Sequence, residues 1–223
     1  MNAPIDGSES NPQAYLESRN FIDSAHPAVV EFSRKHALGR SDLERGVALY
    51  YAVRDLVRYN PFLDLATESS YRASDCLLAG EGFCVGKASL YAATARAAGI
   101  PTRVGFADVR NHLTTPRLRE FMGSDEFIYH GFAELFLEGR WIKATPAFNV
   151  ALCEKFRVKP LEFDGRSDSI FHPFDADERR HMEYLRDRGT FSDVPFDEIS
   201  AAFREFYPRL YALRDDAAKE TFG

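Results

Sequence analysis

The sequence predicts an α+β fold: a central helix packed on an antiparallel sheet, with extra helices at the N- and C-terminal ends. Three observations lead there. A run of strong helix formers from Cys84 to Ala98 is stopped by Gly99 and Pro101. Two β-prone runs, Phe127 to Leu137 and Arg140 to Ala144, are separated only by Glu138-Gly139, which reads as a hairpin. Apolar residues at helical spacing flank this centre over roughly 20–60 and 175–220. At 223 residues, 45% hydrophobic and 28% charged, the chain fits a single globular domain over 1–223, with its core at about 70–149.

Taken in order, the first dozen residues are polar and carry Pro and Gly, so a frayed tail is expected. His26-Pro27 opens a helix that runs to about His36 and ends at Gly39. Ser41-Asp42-Leu43-Glu44 is a capping box, and the helix behind it puts Leu43, Val47, Tyr50 and Val57 on one stripe before Asn60-Pro61. Ser74 to Leu78 makes a short turn or helix. The Ala- and Ser-rich helix from Cys84 has side chains small enough to sit close against a sheet. Thr102 to Val109 is β-prone, and Arg110 to Asp125 is a long excursion with one helical turn, suited to a binding loop or lid. In the first hairpin strand a period of two places Ile128, His130, Phe132, Glu134 and Phe136 on one face. The chain after Pro146 reads as irregular to about Phe174. Asp177 to Arg188 reads as a charged helix ending at Gly189. Pro195 opens an amphipathic helix through Phe196, Ile199, Phe203, Phe206, Leu210 and Leu213, kinked at Pro208.

The chemistry is expected at Cys84. A residue that opens a helix meets unpaired backbone N–H groups and the positive end of the macrodipole, which favour a thiolate. A thiolate nucleophile needs a proton acceptor, and His130 on the hairpin strand offers one. Cys76 and Cys153 lack this context and read as structural.

A helix-opening cysteine, then a histidine on a strand, then a polar residue on the next strand is the order of the papain-like thiol enzymes. The words Gly82-Phe83-Cys84, Arg96-Ala97-Ala98-Gly99-Ile100-Pro101-Thr102-Arg103, His130-Gly131-Phe132-Ala133-Glu134-Leu135 and Glu138-Gly139-Arg140-Trp141 are narrower. They resemble the bacterial transglutaminase-like superfamily. The resemblance implies a papain/transglutaminase-like core, a Cys84–His130 pair and acyl transfer or hydrolysis at an amide bond of a small molecule or peptide. It implies no cofactor, and the calcium dependence of some animal relatives is not carried over because no acidic calcium loop is present. One departure stands out. Where the family has a third catalytic residue, an aspartate just before proline, this chain has Thr145. A threonine hydroxyl can accept the imidazole N–H but brings no charge. By register Thr145 ranks first as the third member, and by chemistry Asn149 second, so the helix dipole is expected to support the ion pair. The substitution also motivates an alternative, a catalytically inactive binding module of the same fold. A thiol-dependent lyase or cyclase, with 110–125 as its lid, is a third possibility.

Phe132 takes the place of a family tryptophan and is expected to wall the pocket, whereas Trp141 and Glu134 read as framework. Asn111 and His112 are further cleft candidates. His172, Asp175 and His181 match no strong metal-ligand spacing, so no metal is expected. A net charge of −6 argues against a nucleic-acid surface, and the basic clusters Arg179-Arg180 and Arg186 to Arg188 are interleaved with acids. Three cysteines without paired spacing argue against a disulfide framework. With no signal-like N-terminus and no apolar run long enough to span a bilayer, the expectation is a cytoplasmic protein away from membranes.

Overall fold

The computed structural model describes residues 11–111, 116–170 and 182–208. Helices α1 (Pro27–His36), α2 (Asp42–Leu56) and α3 (Ala73–Ala79) surround the central helix α4 (Cys84–Ala97). Strands β1 (Arg58–Tyr59) and β2 (Glu81–Gly82) form a short parallel pair just before α4. The main sheet contains β3 (Thr102–Asn111), β4 (Glu126–Leu137), β5 (Arg140–Ala144) and β6 (Met182–Phe191) in the order β5-β4-β3-β6, all antiparallel. Helices α5 (Pro116–Met122), α6 (Val150–Phe156) and α7 (Phe196–Phe206) complete the described chain.

Helix α4 is the hub. Every residue from Val85 to Arg96 is buried, so it has no solvent face. Its alanines let it lie against β3 and β4 on one side and α1, α2 and α3 on the other. A helix buried on every side belongs in a core, and its polar side chains must then find partners there. Two of its polar residues are consumed by the frame. Lys87 Nζ donates to the carbonyls of Arg54 and Val57 at 2.9 and 2.6 Å, which caps the last turn of α2. Arg96 donates to the carbonyls of Thr102, Glu17 and Ser192 and ties three segments together.

The remaining arginine of that segment has a similar task. Arg103 Nε donates to the buried Glu134 at 2.6 Å, and its guanidinium lies 4.3 Å from the Trp141 ring. Trp141 in turn packs on Phe136 and Tyr15. Trp141 and Glu134 are therefore framework, as expected.

The Ser41–Glu44 capping box is present on both sides. The Glu138-Gly139 turn has positive φ at both residues, 49° and 85°, the geometry of a tight two-residue hairpin. The buried face of α2 is centred on Gly46, Leu49, Tyr50 and Val53, so the expected stripe is offset. Leu43 and Val47 are only half-buried, under the loop at Gly165.

Four sequence expectations need correction. The charged segment expected to be a helix over 177–188 is, from Met182 on, the edge strand β6. Tertiary pairing overrides local propensity here: Arg188 is ion-paired with Asp108 of β3 at 2.7 Å, and charges suit a strand at the sheet edge. The stretch after Pro146 is not wholly irregular, since it holds α6. Helix α7 stops at Phe206, and after one non-helical residue, Tyr207, Pro208 is helical again, so the expected kink at Pro208 is a full break; Leu210 and Leu213 lie outside the described residues, as does the expected N-terminal tail up to residue 10.

The fourth correction bears on the site. Ile128 is not in one row with His130, Phe132 and Glu134. The pairing steps from Ala107–His130 to Val109–Phe127, so β4 carries an extra residue there, and Tyr129 adopts φ 53°. This bulge turns Ile128 into the main core, while Phe132 packs in a small second cluster with Ala107 and Val109.

Candidate active site

Cys84 is the first residue of α4, and Phe83 before it is in extended conformation. The strand–helix junction places the thiol near the backbone N–H groups of Gly131, Val85 and Cys84 itself, which lower its pKa. Gly131 is what lets the helix approach. A Cβ on it would stand 2.9 Å from Val85 Cα.

His130 is placed by the bulge just before it, and the bulge is held from several sides. Tyr129 N donates to Asp108 Oδ1 at 3.0 Å, and Ile128 N donates to the Tyr207 hydroxyl at 2.8 Å. The same hydroxyl donates to the Glu126 carbonyl. Arg188 binds Asp108 and lies 4.6 Å from the Tyr129 ring. A non-glycine residue at positive φ costs on the order of 1 kcal/mol or more, and this network offsets it. Sequence reasoning missed Tyr207, Asp108 and Arg188. Their only sequence signal was residue type, because the three come together from distant segments.

Cys84 and His130 line the same small recess, of about 30 Å³, with Phe83, Ile128, Phe203 and Tyr207 around them. Tyr59, Pro61, Phe127 and His130 are shared with a second, larger cavity of about 490 Å³. Its size lies in the range of small-molecule sites. Asn111 lines this larger cavity, and α5 contributes Arg117 and Leu118 to its wall, which places the 110–125 excursion beside the site. Phe132 lines neither cavity, contrary to expectation: it shares a face with His130 but lies two residues further along β4, where it packs with Ala107 and Val109.

The electrostatics differ from the expected ion pair. Burial pushes the Cys84 thiol up to about 11, and the three backbone N–H groups offset this only in part. Burial also pushes His130 down to about 4. Both shifts favour the uncharged forms, a thiol and a neutral imidazole, over the ion pair.

Of the two candidates for a third member, Asn149 is engaged elsewhere. It stands at the N-cap of α6 and its Oδ1 accepts from Tyr59 N. Thr145 directly follows β5, with its backbone N–H bonded to Ser169 and its carbonyl accepting from the Tyr50 hydroxyl. Its own Oγ1 is buried and has no hydrogen-bond partner among the described residues. Cys76 and Cys153 are buried thiols whose pKa burial raises to about 12 and 11. His112, His172, Asp175 and His181 lie outside the described residues, and among the described residues no cluster of His, Cys, Asp or Glu could hold a metal ion.

The sequence profile of the transglutaminase-like superfamily matches residues 31–146, just over half of the chain. This chain belongs to that superfamily. The matched region runs from within α1 through β5 and so contains Cys84, His130 and Thr145. The chain is also similar to two solved bacterial structures. One, a candidate cysteine protease from Cytophaga hutchinsonii, is 18% identical with a TM-score of 0.47, over 83% of this chain and 55% of that one. The other, a candidate protease from Parabacteroides distasonis, is 18% identical with a TM-score of 0.39, over 59% and 25%. The chain thus spans about half or less of the length of these structures. No curated protein matches it. Among the described residues, no helix is long and apolar enough to cross a membrane.

Proposed function

We propose that this transglutaminase-like domain catalyses cysteine-dependent acyl transfer or hydrolysis at an amide bond, with Cys84 as nucleophile and His130 as the proton carrier. The supporting observation is the shared recess: the thiol at the mouth of α4, three backbone N–H groups directed at it, and the imidazole in the same wall.

Burial raises the thiol and lowers the imidazole in the resting site, so moving the proton from sulfur to imidazole before attack is unfavourable. Transfer is therefore coupled to attack. As the sulfur bonds to the carbonyl carbon, its proton passes to His130 and the carbonyl π pair moves to oxygen. N–H groups at the start of α4 stabilise that oxyanion. Collapse restores the carbonyl, breaks the C–N bond and returns the proton to the departing amine. Water or a second amine, deprotonated by His130, then resolves the thioester. In this scheme Thr145 Oγ1, which has no hydrogen-bond partner among the described residues at rest, is available to accept the other imidazole N–H once His130 takes up the proton.

Intact-protein mass spectrometry after exposure to 4-nitrophenyl acetate tests the reading. An acetyl adduct is expected on the native protein and not on Cys84→Ala. No adduct, together with a Cys84 thiol inert to iodoacetamide in the folded protein across pH 6–10, would leave the inactive binding module as the better account.

A further inference from the structure

The larger cavity carries a charge pattern that the chain as a whole does not. The protein is acidic, at −6, yet among the described residues the cavity is lined by Arg58, Arg117 and Lys155 and by no Asp or Glu. Arg58 is neutralised by Glu81 outside the cavity. Arg117 and Lys155 have no carboxylate within ion-pair distance among the described residues, and both are exposed. Each is instead close to a partly exposed aromatic ring. Arg117 lies 4.7 Å from the centre of the Phe62 ring, which is 37% exposed, and Lys155 lies 5.9 Å from that of Phe156, which is 40% exposed. Two cation–ring pairs therefore stand at one cavity whose remaining wall is largely apolar, with Phe127, Phe148, Leu152 and Met182.

Exposed rings without a cover cost solvation, and unpaired cations on an acidic protein focus a local positive field. Both features are resolved by one kind of occupant. We propose that the cavity takes substrates bearing a carboxylate, phosphate or similar anionic group attached to an aromatic or large apolar body. The anion sits between Arg117 and Lys155, and the body lies along the wall that leads to His130. This deepens the acyl-transfer reading and rests on it for the word substrate; the recognition itself needs no chemistry and can be measured without any.

The probes are a matched fluorescent pair, 1-anilinonaphthalene-8-sulfonate and N-phenyl-1-naphthylamine, which differ by the sulfonate. Titrations use the full chain, wild type and the Arg117→Gln/Lys155→Gln double variant, with Arg34→Gln on the exposed face of α1 as control. The sulfonate is expected to bind wild type more tightly than the neutral probe, and to weaken when salt is raised. The double variant is expected to lose about tenfold in sulfonate affinity while the neutral probe changes less than about twofold, showing that the cavity remains intact. Arg34→Gln should change neither. Equal affinity for the two probes, sulfonate binding unmoved in the double variant, or parallel loss of both probes would each overturn the proposal. Because Cys84 takes no part in these titrations, their failure is separate from failure of the acetyl-adduct experiment.

Discussion

Gly131→Ala adds one methyl group where α4 meets β4. The new Cβ would stand 2.9 Å from Val85 Cα and 3.3 Å from both Val85 N and Cγ2, whereas ordinary contact begins near 3.4 Å. The nearest of these, Val85 Cα, and Val85 N are backbone, so no rotamer change relieves them. Helix α4 must therefore back away at its first turn by about half an ångström, in a core where small shifts are not absorbed freely. Overpacking of this kind costs about 1–3 kcal/mol. The shift falls on Cys84, one residue from the contact, and it also pulls the thiol from the Gly131 N–H. Displacement on this scale between reacting groups is expected to slow acylation about 10- to 100-fold. Urea unfolding reads the first effect and the rate of acetyl-adduct formation from 4-nitrophenyl acetate reads the second. An alanine variant with the wild-type unfolding midpoint and the wild-type acylation rate would show that the junction is not tight and that the account of the site is wrong.

Other outcomes follow from the same geometry. His130 is held near 4 against an ordinary value of 6.5, so its contribution to stability is fully present above pH 6.5 and is lost as pH falls through 4, by roughly 3 kcal/mol in all; His130→Gln should flatten that part of the stability–pH curve, and an unchanged acid limb would refute the burial argument. Thr145→Val removes a hydroxyl that has no hydrogen-bond partner among the described residues, so thermal stability should be kept or slightly raised while acylation falls about tenfold; if Thr145→Val and Asn149→Ala both leave the rate untouched, neither residue is a third member. Glu134→Ala strands Arg103, whose side chain is only 12% exposed, and should cost about 3–5 kcal/mol by urea unfolding, with a loss under 1 kcal/mol counting against a framework role. Lys87 is held near 7 against 10.5, so it contributes a stability gain as pH rises from 7 towards 10.5, and Lys87→Met should lose that slope.

The elements that the sequence made legible are those whose signals are local. The α4 run with its Gly99-Pro101 stop, the capping box at Ser41 and the turn at Glu138-Gly139 each depend on neighbours within a few residues, and each is present as expected. Strand β6 was read as a helix because its Arg and Asp residues look like a solvated helix face until Asp108 and Arg110 of β3 are brought beside them. The face assignment of β4 failed at Tyr129 because a bulge leaves no mark in an alternating pattern. Short α6 fell among residues with no clear period.

For the site, residue type and order along the chain singled out Cys84 and His130 without any coordinates, since a helix start and a strand are local features that a single sequence displays. What the tertiary structure alone decided is that they share one recess and that burial opposes the charge on each. The recess, the hold on the bulge by Tyr207 and Asp108, and the partnerless hydroxyl of Thr145 all involve residues far apart in the chain. Desolvation is likewise a property of the whole packed interior. That is why burial works against the thiolate that the helix terminus by itself favours.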